Sequence, residues 1–140
     1  MTQVADRMAR DVVFVREHES LNRAAEILHD KHIRHLPVLA ELENLVGIIT
    51  DRDIKLAMPS PLFGQHADWK GLFEDVPVSR VMAKELVTVA PDALMQEAVS
   101  LMVAHRIGCL PVVEEGSLVG LLTETDAMRH CIEVIQTLGG

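Results

Sequence analysis

Two stretches of the chain offer the same chemistry. Gly47-Ile48-Ile49-Thr50-Asp51-Arg52-Asp53 recurs as Gly120-Leu121-Leu122-Thr123-Glu124-Thr125-Asp126: a glycine, an apolar pair, a threonine and, three residues on, an aspartate. A hydroxyl and a carboxylate so spaced at a strand-to-helix junction can accept and share the two hydroxyls of a ribose. The first turn of the helix then offers free N–H groups and a positive dipole end to a phosphate. The same spacing also suits a helix cap, with Thr at the N-cap and Asp at N3 in place of the usual Glu. One copy alone favours the cap. Two copies, with the glycine and the apolar pair preserved, favour the ligand.

The elements that must position these residues repeat as well. Met8-Ala9 lies on Met82-Ala83, Val12-Val13-Phe14-Val15 on Leu86-Val87-Thr88-Val89, Ile33 on Ile107, and Leu36-Pro37-Val38 on Leu110-Pro111-Val112. Neither copy is long enough to bury a core alone. In order, the pattern predicts a helical lead-in over 2–8 with Met8 toward the core, a strand at 12–15, and a helix over 20–31 capped by Ser20. Strands follow at 36–39, with Pro37 near the beginning, and at 45–49, then a helix from the Thr50 junction to about Met58, where Pro59 and Pro61 stop it. The second copy predicts strands at 86–89, 109–113 and 118–122 and helices over 92–105 and 124–138, with Asp92 as the stand-in cap because Leu94 occupies the place of Ser20. The division is therefore 1–58 for the first repeat with its lead-in, 59–77 for a linker, and 78–140 for the second repeat. Leu62, Phe63, Trp69, Leu72 and Phe73 predict that this linker packs as a short helix.

Bulk properties exclude several function classes. The chain of 140 residues carries a net charge of −8, which disfavours a sequence-independent nucleic-acid surface. No apolar run is long enough to span a membrane. Met1 to Arg10 lacks the apolar stretch of a signal peptide, which predicts a cytoplasmic protein. Cys109 and Cys131 match no zinc spacing and are expected to be buried or idle thiols. His18, His29, His32 and His35 suggest a metal site, but Pro37 and the helix end near Lys31 break the face it would need, so no metal is expected. No nucleophile has a base beside it and no phosphate loop is present, so no catalytic residues are assigned.

Leu-Pro-Val followed by Gly-Ile-Ile-Thr-Asp-Arg-Asp resembles the cystathionine-β-synthase (CBS) domain, and two tandem copies resemble a CBS pair, or Bateman module, from about Val4 to Arg129. The linker beginning Pro59-Ser60-Pro61 also resembles stand-alone bacterial pairs of the acetoin-utilisation type. The resemblance implies an α/β (α+β) fold of two βαββα repeats about a pseudo-twofold axis, with two clefts between them. It further implies an adenosine ligand (AMP, ADP, ATP or S-adenosylmethionine), no catalytic cofactor, a homodimer and a regulated protein partner. Carried across, Thr50 and Asp53 hold one ribose while Val87, Ile107 and Gly108 wall the adenine; Thr123 and Asp126 hold the other, walled by Val13, Ile33 and Arg34. Arg34, His35 and Arg52 place positive charge for the phosphates of the first ligand, where the second copy has Gly108, Cys109 and Thr125. The alternative is a ligand-free dimerisation scaffold in which Thr-x-x-Asp only caps helices.

Overall fold

The structure is a computed structural model and describes residues 1–57 and 74–139. The expected linker helix, with its aromatic residues Phe63, Trp69 and Phe73, lies outside the described residues, as does Met58, the expected end of the helix that begins at Asp51. Contacts divide the chain into two units, Val13–Leu86 and Met1–Val12 with Val87–Gly140. They are called here the Thr50 unit and the Thr123 unit.

In the Thr50 unit the order is β1 (Val15–Arg16), α1 (Leu21–Asp30), β2 (His35–Leu39), β3 (Leu45–Thr50) and α2 (Asp51–Ala57). β1 runs parallel to β2, and β2 antiparallel to β3. The strand expected over 12–15 shrinks to two residues because β2 offers it only Val38 and Leu39 as partners. Pro37 is not at the beginning of β2 but in its middle. It is tolerated there because its segment pairs with β3 alone, so the missing N–H interrupts no second ladder. Ser20 caps α1 as expected, accepting from the N–H of Arg23 at 3.2 Å.

The Thr123 unit contains α3 (Met95–His105), β4 (Cys109–Glu114), β5 (Ser117–Thr123) and α4 (Glu124–Gly139). β4 and β5 are antiparallel, and the strand expected at 86–89 survives only as a parallel bridge from Val89 to Val112. Asp92 is not the cap of α3: Leu94 sits at the N-cap with no side-chain bond. Instead, the carbonyl of Thr2 accepts from the N–H of Met95 at 3.0 Å. That bond introduces the main departure from the sequence reading.

Each lead-in belongs to the unit built around the other repeat. Residues 1–12 pack with the second repeat: Val4 N–H donates to Ala93 O, Ala5 N–H to Pro91 O, and Ala9 exchanges two bonds with Leu121. Residues 76–86 repeat these bonds on the first repeat, with Val78 N–H to Glu19 O, Ser79 N–H to Glu17 O, Leu21 N–H to Val76 O, and Ala83 paired with Ile48. Val4 and Val78, both fully buried, complete the two cores. At about 1.5–3 kcal/mol for a buried valine, each lead-in is part of the fold it joins. The packed units therefore cut across the two sequence repeats, each taking its lead-in from the other.

Two glycines explain how the lead-ins fit. A Cβ on Gly120 would lie 2.9 Å from Met8 Cγ and 3.0 Å from Ala9 O; one on Gly47 would lie 2.7 Å from Met82 Cγ and 3.0 Å from Ala83 O. Both strands lack a side chain where a lead-in methionine and backbone cross them. Met8 is 9% exposed, turned into the core as expected.

Candidate functional site

In the Thr50 unit the junction is set by three local features. β3 ends at Thr50, opposite His35 at the start of β2. Thr50 N–H donates to Asp53 Oδ2 at 3.0 Å and Asp53 N–H donates to Thr50 Oγ1 at 3.1 Å, a reciprocal capping box made with Asp. The N–H of Asp51 donates to the carbonyl of Arg34 at 3.3 Å, tying the α1–β2 connection to the first turn of α2. The structure thus brings Arg34, His35, Thr50, Arg52 and Asp53 to one place. Arg34 and Arg52 are exposed, and His35, Thr50 and Asp53 half-buried.

The Thr123 unit repeats this frame with different chemistry. Thr123 N–H donates to Asp126 Oδ2 at 2.9 Å, Thr123 pairs with Cys109, and Glu124 N–H donates to the carbonyl of Gly108 at 3.0 Å. Here the Thr123 hydroxyl donates to Asp126 Oδ2 at 3.0 Å, whereas the Thr50 hydroxyl accepts a backbone N–H. Burial, and secondarily the charge of Glu124, pushes the Cys109 thiol up to about 12, so it stays neutral and adds no charge to the junction. Among the described residues no group of His, Cys, Asp or Glu could hold a metal ion.

The expected apolar wall residues each pack on the core of one unit. Val13 and Ile33 pack on the core of the Thr50 unit, and Val87 and Ile107 on that of the Thr123 unit.

One feature of these junctions had no sequence signal. His32 and Arg106, equivalent in the two repeats, adopt left-handed conformations with φ of 53° and 54°. They turn the chain off α1 and α3 so that the next N–H, of Ile33 or Ile107, reaches back to Leu28 O or Met102 O at 3.1 Å. Glycine or asparagine is the usual occupant of such a cap, and neither is present to announce it.

Comparison with known proteins agrees with this frame. Hypoxic response protein 1 of Mycobacterium tuberculosis is 33% identical over 138 residues, covering 95% of this chain and 87% of its own. Among solved structures, a protein described as an acetoin-utilisation protein (AcuB) from Vibrio cholerae superposes with a TM-score of 0.81 at 30% identity. The match covers 99% of this chain and 96% of that one. The CBS domain pair of protein MJ0100, solved in complex with 5′-methylthioadenosine and S-adenosyl-L-methionine, gives a TM-score of 0.78 at 26% identity over 95% and 98% of the two chains. The CBS domain model matches twice, at residues 4–60 and 78–133, taking in both Thr–Asp junctions. The chain therefore belongs to the CBS domain family, as a tandem pair of α/β repeats.

Proposed function

We propose that the chain is a regulatory module that binds adenosine compounds at its two Thr–Asp junctions, and not an enzyme. The observation that carries this reading is the duplicated junction itself: a half-buried hydroxyl and carboxylate beside a backbone carbonyl, with the Thr N–H donating to the Asp carboxylate in both units. Thr50, Asp53, Thr123 and Asp126 hold the ribose hydroxyls, and Val13, Ile33, Val87, Ile107 and Gly108 line the bases. The adenosyl ligands of the MJ0100 pair, which shares this fold at 26% identity, support the ligand class. Ligand binding shifts the module toward a state that a protein partner reads, and the module acts as a homodimer.

The two junctions differ in ligand preference. Arg34, His35 and Arg52 suit a phosphorylated ligand, AMP, ADP or ATP, at the Thr50 junction. Gly108, the neutral Cys109 and Thr125 suit a weaker or less charged adenosyl compound such as S-adenosylmethionine at the Thr123 junction. Calorimetric titration of AMP, ATP and S-adenosylmethionine into the wild type, Asp53→Ala and Asp126→Ala tests this. Asp53→Ala is expected to abolish AMP binding and Asp126→Ala to spare it; equal losses from both overturn the asymmetry.

One observation favours a second reading. Both aspartates already cap helices within the chain, and a ligand-free scaffold would need them for nothing else. Thermal-shift measurements with the same compounds separate the readings, because a ligand that binds only the folded state raises the melting temperature, and a flat response to all of them selects the scaffold.

A further inference from the structure

At one end of the sheet in the Thr50 unit, β2 and β3 meet in two successive residue pairs, Leu36 with Ile49 and His35 with Thr50. Leu36 and Ile49 are fully buried in the core, so the alternation of side chains along a strand turns His35 and Thr50 to the opposite face of the sheet, both half-buried. They form a cross-strand pair with Cβ atoms about 5 Å apart. The imidazole therefore shares a face with the hydroxyl of the capping box, at the start of α2. The Thr123 unit keeps this geometry and changes the chemistry. Cys109 pairs with Thr123 next to the buried pair Leu110 and Leu122, and its thiol, pushed up to about 12, carries no charge near neutrality. Of the two matching positions, only that of His35 holds a group whose charge changes between about pH 5 and pH 8.

The elements packed at this end of β2 bring charge of both signs. The α1–β2 connection carries His32 and Arg34, and the first turn of α2 carries Asp51, Arg52 and Asp53. β3 brings the uncharged Thr50 opposite, and β1 reaches β2 only at Val38 and Leu39, so its Arg16 stands at the other end of the strand. The exposed end of α1 adds His29, Asp30 and Lys31. At the junction itself the guanidiniums of Arg34 and Arg52 offset the carboxylates of Asp51 and Asp53. A proton on His35 tips that balance toward an anion.

We propose that nucleotide binding at the Thr50 junction is coupled to protonation of His35, so that the junction takes up a proton together with a phosphorylated adenosine ligand and holds it more tightly as pH falls. The proposal rests on the functional reading above and names how that site is regulated: the chain reads pH and nucleotide at once. Its sign follows from charge. A phosphate bearing close to two negative charges favours the imidazolium over the neutral ring, and by reciprocity the protonated junction binds phosphate better. Arg34 and Arg52 stay charged throughout and supply the part of the attraction that does not vary with pH.

The test is calorimetric titration of AMP into the full chain at about pH 7, 7.5 and 8.5, each in buffers of different ionisation enthalpy so that protons taken up on binding are counted. The proteins are the wild type, His35→Gln and His35→Arg. Near pH 7.5 a histidine in water is mostly neutral, so the wild type is expected to take up roughly half a proton or more per AMP, and its Kd to rise about 5-fold from pH 7 to pH 8.5. Protons exchanged by the phosphate of AMP are common to all three proteins, so the difference between them isolates His35. His35→Gln is expected to lose this uptake and to keep its Kd within about 2-fold across the range. His35→Arg, whose charge does not titrate, is expected to lose the uptake as well but to bind at pH 8.5 about as tightly as the wild type does at pH 7, which loss of a merely structural contact would not produce. Equal proton uptake in the wild type and His35→Gln, or a wild-type Kd constant across the range, overturns the proposal and leaves the functional reading standing. If the wild type binds neither AMP nor ATP at any of these pH values, the functional reading fails and the coupling with it.

Discussion

The exchange of lead-ins is open to a direct energetic test. If residues 1–12 pack on the second repeat, Met8 must couple to Gly120 and not to Gly47, its partner were the repeats contiguous. Met8→Ala removes a side chain that is 9% exposed, and the cavity is expected to cost about 2–4 kcal/mol. Gly120→Ala inserts a Cβ that would lie 2.9 Å from Met8 Cγ and 3.0 Å from the backbone of Ala9, which cannot swing aside, for an expected cost of about 1–3 kcal/mol. In the double variant the new methyl meets no methionine and refills part of the cavity, so the sum of the single costs should exceed the double cost by about 1–2 kcal/mol. Met8→Ala with Gly47→Ala should instead be additive within about 0.5 kcal/mol, since Gly47 faces Met82. Urea denaturation of the five variants and the wild type, read by circular dichroism at constant m, supplies every quantity. Coupling of Met8 to Gly47 together with additivity at Gly120 would refute the exchange.

Other expectations follow from single residues. Thr50→Ala removes the hydroxyl that accepts from Asp53 N–H and is expected to cost about 0.5–2 kcal/mol by thermal denaturation, and in addition to weaken AMP binding, which a pure cap would not do. Folding holds the proton on Cys109, so stability is unaffected below pH 9.0 and falls as pH rises from there toward about 12; Cys109→Ala should flatten that slope in pH-dependent urea melts. Arg106→Gly relieves a left-handed non-glycine residue and is expected to stabilise the fold by about 0.5–1 kcal/mol despite the added freedom of the unfolded chain, whereas Arg106→Val should destabilise it.

Much of this architecture was legible because local signals agreed with one another. Ser20 announced α1, the turn at 41–44 separated β2 from β3, and Thr-x-x-Asp marked both strand-to-helix junctions, closing the reciprocal box at Thr50. The failures have a common cause. Whether the strand covers Val12–Val15 or only Val15–Arg16 depends on where β2 lies beside it, which its own residues do not encode. The start of α3 was misread because its first N–H is satisfied by Thr2, more than ninety positions away. The exchange was invisible for a related reason: Val4, Met8 and Ala9 match Val78, Met82 and Ala83 so closely that either lead-in satisfies the pattern of either groove. The junctions show the same division: their Thr–Asp hydrogen bonds were readable from duplication, whereas the left-handed turns at His32 and Arg106, with no glycine or asparagine to mark them, were not.

The route of the backbone also dictates an order of events during synthesis. Residues 1–12 leave the ribosome well before residues 87–139, of which their binding groove is made. The opening segment must wait, unfolded, while the intervening polypeptide folds around α1 and β2. With about ninety residues to loop back, that docking closes a large ring and is expected to be slow. A cut between the two sequence repeats would leave each fragment holding the other's missing piece, so the halves should recover their structure only when mixed.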